Sequence, residues 1–322
     1  MPAEVRHRQQ RTLQYASNGR TSEILSRGSV YRELYLRLQG QTTDATNSQA
    51  NTTSAEEWGI IQRLDLIANN TDVIKSLSGE ELWWLNYYLY GRAPNITAAI
   101  GAGGANPSFD SHLILPLWMP RSIRPMDTAL DARVLADLKI EVTWGTHTDI
   151  SSDATGFESA PTLEVRSMEA FNTEGRFATW RLNRIRQTIS ASNTEQQIIL
   201  PVGEMYRSFL IHTQDAGVDQ GDIINNVKII SGTTVFADYD DEVLRNIVPL
   251  RMGIEAPPTF RSNNRAVAGW YFLDLVTDGY LKEAIDTVGF SEFIMELDVT
   301  VGGGTTTIDI LPSRIIPIRG NR

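Results

Sequence analysis

The chain has 322 residues, 41% apolar and 21% charged, which is ample for two cores of ordinary size. It has no cysteine, so a disulfide framework, a thiolate metal site and a cysteine nucleophile are all excluded. The formal charge of -10 argues against general nucleic-acid binding, and no apolar run approaches the roughly 20 residues of a membrane span; a protein made and kept in a cytoplasm is expected.

Charge is unevenly spread along the chain. Over residues 1–32, Arg6, Arg8, Arg11, Arg20, Arg27 and Arg32 face only Glu4 and Glu23, and the last twelve residues add Arg314, Arg319 and Arg322 with no acid. Residues 1–28 read as a basic arm with a helix between Val5 and Tyr15. Two basic tails on an acidic body would face an anionic surface, lipid or nucleic acid, unless their arginines are merely solvated. Val30 to Leu38 alternates as a strand, Gln39 to Ala55 reads as an exposed loop, and Trp58 to Ala68 and Val73 to Leu77 read as strands.

Ser78 opens a helix. With Glu81 three residues on it makes a capping box, and Gly91 is placed to end the helix in a left-handed conformation. Between them Trp83, Trp84, Leu85, Tyr87, Tyr88 and Leu89 leave no polar back. The pattern predicts one face on its own β domain and the rest, with Trp83, Trp84, Tyr87 and Tyr88, against another subunit; the rival is an aromatic ligand platform. Asn95 to Pro107, with Gly101, Gly103 and Gly104, reads as a loop.

The next stretch, Ser111 to Gly145, recurs. Leu138, Ile140, Val142 and Trp144 alternate with Lys139, Glu141 and Thr143, and 157 residues later Met295, Leu297, Val299 and Val301 alternate with Glu296, Asp298 and Thr300. Leu113, Leu115 and Leu117 match Tyr271, Leu273 and Leu275 at an offset of 158, and short helices are expected at Asp127 to Leu135 and Thr277 to Ile285. Thr146 to Ala160 reads as a loop and Thr162 to Ala170 as a closing strand, repeated by Thr307 to Pro317. Thr179 to Ile189 stands 149 residues after the first strand, and Val227 to Ser231 stands 154 after Val73. Ile198 to Thr213 is a strand pair broken at Pro201 to Gly203, and Asp240 to Arg251 is a second helix. A strand, helix, strand unit present twice predicts a tandem duplication. The expected fold is all-β: two tandem eight-stranded jelly rolls with short inserted helices, the arrangement that buries two half-wet sheets and limits free edges. The expected boundaries are an arm at 1–28, rolls at 29–174 and 175–318, and a tail at 319–322.

Chemistry is sparse. His7, His112, His147 and His212 are scattered, with His112 and His212 in strands as structural residues, and no nucleotide fingerprint or nucleophile elbow is present. Asp215, Asp219 and Asp222 share a loop and are weak candidates for calcium, although their spacing fits no defined loop. No catalytic residue or cofactor is assigned.

This layout, with a helix before the SHLILPLWMP strand and a further helix between that strand and LADLKIEVTWG, resembles the double jelly-roll major capsid proteins of tailless icosahedral viruses with an internal membrane. Its size is similar to the smaller bacteriophage members, such as that of a Flavobacterium-infecting lipid-containing phage. The resemblance covers residues 30 to 318. It implies a structural protein of the virion, assembled in a host cytoplasm, whose homotrimers form pseudo-hexagonal capsomers. Its partners would be neighbouring capsomers, vertex (penton) proteins and an internal membrane reached through Arg6, Arg8, Arg11 and Arg20, with no sequence-specific nucleic acid. On that view removal of residues 1–28 leaves the trimer intact. The alternative is a carbohydrate-binding or glycan-cleaving β-sandwich protein, suggested by seven tryptophans and the loop acids.

Overall fold

Period-2 alternation sets most of the architecture: Leu138, Ile140, Val142 and Trp144 are buried, whereas Lys139, Glu141 and Thr143 between them are half-buried. A computed structural model describes residues 4–44, 55–98, 100, 106–171, 173, 178–219, 221–251, 253, 269–276 and 279–317. In chain order the main strands are β1 (Glu4–Gln14), β2 (Arg20–Ile24), β3 (Val30–Thr43), β4 (Ile61–Ala68), β5 (Asp72–Leu77), β6 (Ser108–Pro116), β7 (Leu138–Trp144) and β8 (Gly156–Phe171). After them come β9 (Ile185–Ile189), β10 (Asn193–Ile199), β11 (Met205–Asp215), β12 (Ile224–Ser231), β13 (Thr234–Asp240), β14 (Trp270–Asp274), β15 (Ile294–Val299) and β16 (Thr306–Pro317). The chain packs as two units, residues 1–89 with 93–120 and 124–180, and residues 90–92 with 121–123 and 181–322.

All these pairings are antiparallel. The first unit has the strand orders β1-β8-β3-β6 and β2-β7-β4-β5. The second has β9-β16-β11-β14 and β10-β15-β12-β13, the same orders taken eight strands later. Even the minor strands correspond: Leu130–Asp131 pairs with the start of β3, and Ile285–Asp286 with the start of β11. In the second unit Phe209, Ile211, Tyr271 and Leu273 from one sheet join Val227, Ile229, Met295 and Leu297 from the other in a single buried cluster. In the first, Leu34, Leu36, Leu38, Leu163 and Val165 are buried on one sheet, and Leu64, Leu66, Ile140 and Val142 on the other. Each such side chain contributes about 1.5–3 kcal/mol by leaving water.

α1 (Gly79–Tyr90) forms as its sequence predicts. Ser78 N donates to Glu81 Oε2 at 2.6 Å and Glu81 N to Ser78 Oγ at 3.1 Å, the reciprocal capping box. Gly91, at φ +74°, ends the helix in the left-handed region. Gly79 is needed for a close approach, because a Cβ there would overlap the Trp58 carbonyl. Inside α1, Asn86 acts as a surrogate strand residue: Ile114 N donates to its Oδ1 at 2.9 Å, and its Nδ2 donates to Ile114 O at 2.7 Å. The helix thereby satisfies the outer side of β6 at Ile114.

Several expectations are corrected. Residues 5–15 are not helical: β1 is an integral strand paired with β8 from Glu4 to Gln14, because Leu13 and the long partner strand offer a ladder that an isolated polar helix lacks. Gln39 to Thr43 prolongs β3 and Gly156 to Ala160 begins β8, so the two loops are shorter than expected. The rest of the second loop holds a 3-10 turn at His147–Asp149, whereas 45–54 of the first, the glycines 101, 103 and 104, the 174–176 linker and the 319–322 tail lie outside the described residues. The expected start of the second strand, Trp58 to Ile60, is instead part of a single 3-10 turn, Glu56–Ile60. Asp127 to Leu135 is not a helix but two such turns, Pro125–Thr128 and Ala132–Val134, around a two-residue strand; the first ends at an extended Ala129, and Asp131 caps the second by accepting from Arg133 N. Leu281–Glu283 is the corresponding turn in the second half, with 277–278 outside the described residues. Asp240 does cap a helical stretch, accepting from Val243 N at 2.8 Å, through a wide turn at Val243–Ile247 into α2 (Val248–Arg251).

Two of the repeat offsets were also misassigned. By strand order β3 corresponds to β11 and β4 to β12, so Val30 does not match Thr179 and Val73 does not match Val227. The offsets of 157 and 158, which join β7 to β15 and β6 to β14, agree with the topology, as does the pairing of β8 with β16.

Candidate functional site

The sequence-predicted basic residues lie on strands. Arg6 Nε is 2.8 Å from Glu4 Oε1, and its guanidinium lies 4.8 Å from the Phe171 ring centroid. Hydrogen bonding to Glu4 and its charge raise the Arg6 pKa above its ordinary value. Arg8 donates to Ser26 Oγ at 3.0 Å, Arg11 stands 3.5 Å from Glu23 and Arg20 3.1 Å from Glu141. A register shift between Gln9 and Arg11 keeps Arg6, Arg8 and Arg11 on one face, opposite Glu169, Ser167 and Val165 in turn. The arginines thus line an outer strand while staying exposed, a charge pattern that discourages unspecific edge pairing. The signal was present in the sequence as alternation of Val5, His7 and Gln9 with Arg6 and Arg8.

Trp83, Trp84, Tyr87 and Tyr88 are 1–3% exposed within the single chain. Trp83 and Trp84 meet edge to face at 4.6 Å, and Tyr87 stacks near Trp83 at 6.0 Å. This corrects the expected subunit-interface helix: the aromatic rings are covered without a second copy, and they offer no platform to a ligand.

The three loop acids are not brought together. Asp215 accepts from Gly304 N at 3.1 Å and Thr306 Oγ1 at 3.2 Å, closing the turn before β16. Asp219 lies 2.7 Å from His212 Nε2 and accepts from Trp270 Nε1 at 2.9 Å and Gln214 Nε2 at 3.2 Å. Burial pushes the Asp219 carboxyl up, but the His212 bond and charge, with the Trp270 and Gln214 bonds, outweigh it and hold the carboxyl below its ordinary range. Asp222 is exposed. Among the described residues no three His, Asp or Glu side chains are grouped to hold a metal, so the calcium candidates are corrected as well. His212 is structural as expected, stacked on Trp270 at 3.7 Å; His112 is more exposed, 3.5 Å from Asp110.

Glu57 and Lys75 are among the buried ionisable groups that sequence reasoning missed. Glu57 is fully buried, with Oε1 accepting from Ile100 N at 3.0 Å; burial, helped by the charge of Glu56, pushes its carboxyl up to about 7. Lys75 is also fully buried, its Nζ 3.6 Å from the Trp180 ring centroid. A third omission is an open polar cleft on the outer face of the β10-β15-β12-β13 sheet, lined by Thr194, Glu195, Asn226, Lys228, Glu296 and Asp298.

No family model matches the chain, and no curated protein sequence matches it. Solved structures do. The capsid protein of STIV, the Sulfolobus turreted icosahedral virus, aligns with a TM-score of 0.76 at 14% identity, over 98% of this chain and 97% of its own. The major capsid protein P2 of bacteriophage PM2 aligns at 0.65 and 11% identity, over 99% of each chain. The PBCV-1 virus capsid structure gives 0.65 and 13%, over 99% of this chain and 97% of that one. These neighbours are double jelly-roll major capsid proteins of icosahedral viruses. The fold is a double jelly roll. Each set of eight strands is one roll, and the first takes in β1 and β2, which the expected boundaries leave to an arm at 1–28. The alignments span nearly the whole of both chains.

Proposed function

We propose that this chain is the major capsid protein of an icosahedral virus, three copies of which form a pseudo-hexagonal capsomer. The observation that carries the proposal is the end-to-end correspondence of both rolls with viral capsid proteins, 98% of this chain on 97% of the STIV protein. Duplication has a physical logic here: six similar rolls from three chains tile a hexagonal lattice, while the two halves remain free to differ in their contacts. Its partners are then sister copies, neighbouring capsomers and the proteins at the vertices of a virion.

The function is structural rather than catalytic. Arg6, Arg8, Arg11 and Arg20 lie on strands of the roll and not on a separate arm, and the proposed function is the shell itself. The glycan-binding alternative is disfavoured by its own motivating residues. Six of the seven tryptophans are buried, and the seventh, Trp118, donates to Glu33 Oε1 at 2.8 Å beneath Arg32. Size-exclusion chromatography with light scattering tests the proposal. A species of three times the 35.9 kDa chain mass is expected; a monomer at every concentration would overturn it.

A further inference from the structure

Outer strands expose a row of backbone donors and acceptors, and a long one left uncovered invites pairing with another chain. Among the described residues two such strands stand out. β1 ends its sheet; it is 11 residues long and carries Arg6, Arg8 and Arg11 against Glu4 alone. β13 ends the β10-β15-β12-β13 sheet; it is 7 residues long and carries Asp238 and Asp240 with no cation. The other outer strands have at most one unbalanced charge: β2 holds Arg20 and Glu23, β10 only Glu195, β9 only Arg186. The two strands also match in apolar character, since Val5 is 39% exposed and Val235 and Phe236 are 56% and 39% exposed. Asp238 is exposed, engaged only by Asn226 Nδ2 at 2.9 Å, and the Arg6 and Arg11 side chains are 56% and 57% exposed.

We propose that β1 of one copy pairs along β13 of a second copy, setting Arg6, Arg8 and Arg11 against Asp238 and Asp240. The inference rests on the capsomer reading and names its contact. Backbone bonds between the two edges supply the adhesion and the opposite charges choose the partner edge. Because the two patches differ, the contact is head to tail, and a three-fold rotation closes it into a ring.

Charge reversal in the full chain tests this. The variants are Arg6→Glu with Arg8→Glu, Asp238→Lys, and all three together; each altered side chain is exposed, so wild-type melting is expected throughout. Sedimentation velocity should show the reversals on either strand weakening self-association at least about tenfold at low salt, with a smaller loss at high salt, and the combined variant recovering it. Amide exchange at residues 4–14 and 234–240 should slow when the wild type associates. If the wild type associates but the reversals change nothing, the combined variant stays as weak as the single-strand variants, or exchange at both strands is unaffected, this contact is wrong and the capsomer reading stands. A wild type that never associates overturns both.

Discussion

Asn86 offers the sharpest test of how the first roll is held together. It is 4% exposed in the middle of an aromatic helix, yet its amide meets both backbone groups of Ile114 on the outer side of β6 and also donates to Leu82 O at 2.8 Å. Replacing it by alanine leaves Ile114 N–H and C=O unpaired. Each orphaned group costs about 1–3 kcal/mol, so a loss of about 3 kcal/mol is expected, against a smaller effect for a side chain that merely fills space. For a unit of this size that corresponds to a fall in Tm of about 6–12 °C. Asn86→Leu restores the volume but not the hydrogen bonds and should melt as low as Asn86→Ala. Both would be followed by calorimetry on the full chain. A leucine variant melting with the wild type would show that Asn86 acts by packing alone, and the surrogate-strand argument would fall.

Other perturbations separate further parts of the structure. Deleting residues 1–28 removes β1 and β2 with the buried Leu13 and Leu25 and strips an outer strand from each sheet of the first roll; no cooperative melt of that roll should survive, and a truncated chain melting like the wild type would refute the strand assignment. Ser78→Ala breaks the capping box and should cost about 1 kcal/mol, seen as a small drop in Tm; an unchanged Tm would mean the box contributes nothing. Glu57 keeps its proton to about pH 7 in the folded chain but loses it near 4.5 when unfolded, so its contribution is greatest below 4.5 and declines by about 3 kcal/mol as pH rises to 7. Glu57→Gln should flatten that part of the stability profile in pH-dependent melts, and an unaltered slope would place the titration elsewhere.

What the sequence made legible was whatever depended on local period. β7 and β15 stood out because every second residue is apolar, and α1 because Ser78, Glu81 and Gly91 mark its ends. What it hid depended on partners distant in sequence. β1 looks polar because its core contact is mostly Leu13, and only the ladder to β8, some 150 residues away, makes it a strand. The same cause misled the matching of the halves: Val30 and Thr179 both begin alternating runs, but only hydrogen-bonded neighbours reveal that β3 corresponds to β11. The aromatic helix erred in the opposite direction, since a pattern that demands cover all round does not say whether one chain suffices.

The two rolls share a strand order but not a surface, and that difference bears on assembly. On the outer face of β2-β7-β4-β5 the charges neutralise one another: Glu141 lies 3.1 Å from Arg20 and 2.8 Å from Lys139, and Asp65 lies 2.9 Å from Arg63. On the corresponding face of the second roll Glu195, Glu296, Asp298, Asp238 and Asp240 share one lysine, Lys228, 3.5 Å from Glu296. Packing against the core is blind to this, because the inward residues of both sheets are apolar in the same alternating pattern. A face met only by solvent is best served by mixed, self-satisfied charge. A retained excess of one sign is electrostatically unfavourable for an isolated roll, and a cationic edge laid beside it removes that penalty. In the proposed head-to-tail ring the arginines of β1 in a sister chain would supply that edge, so the charge difference between the two outer faces would serve the assembly.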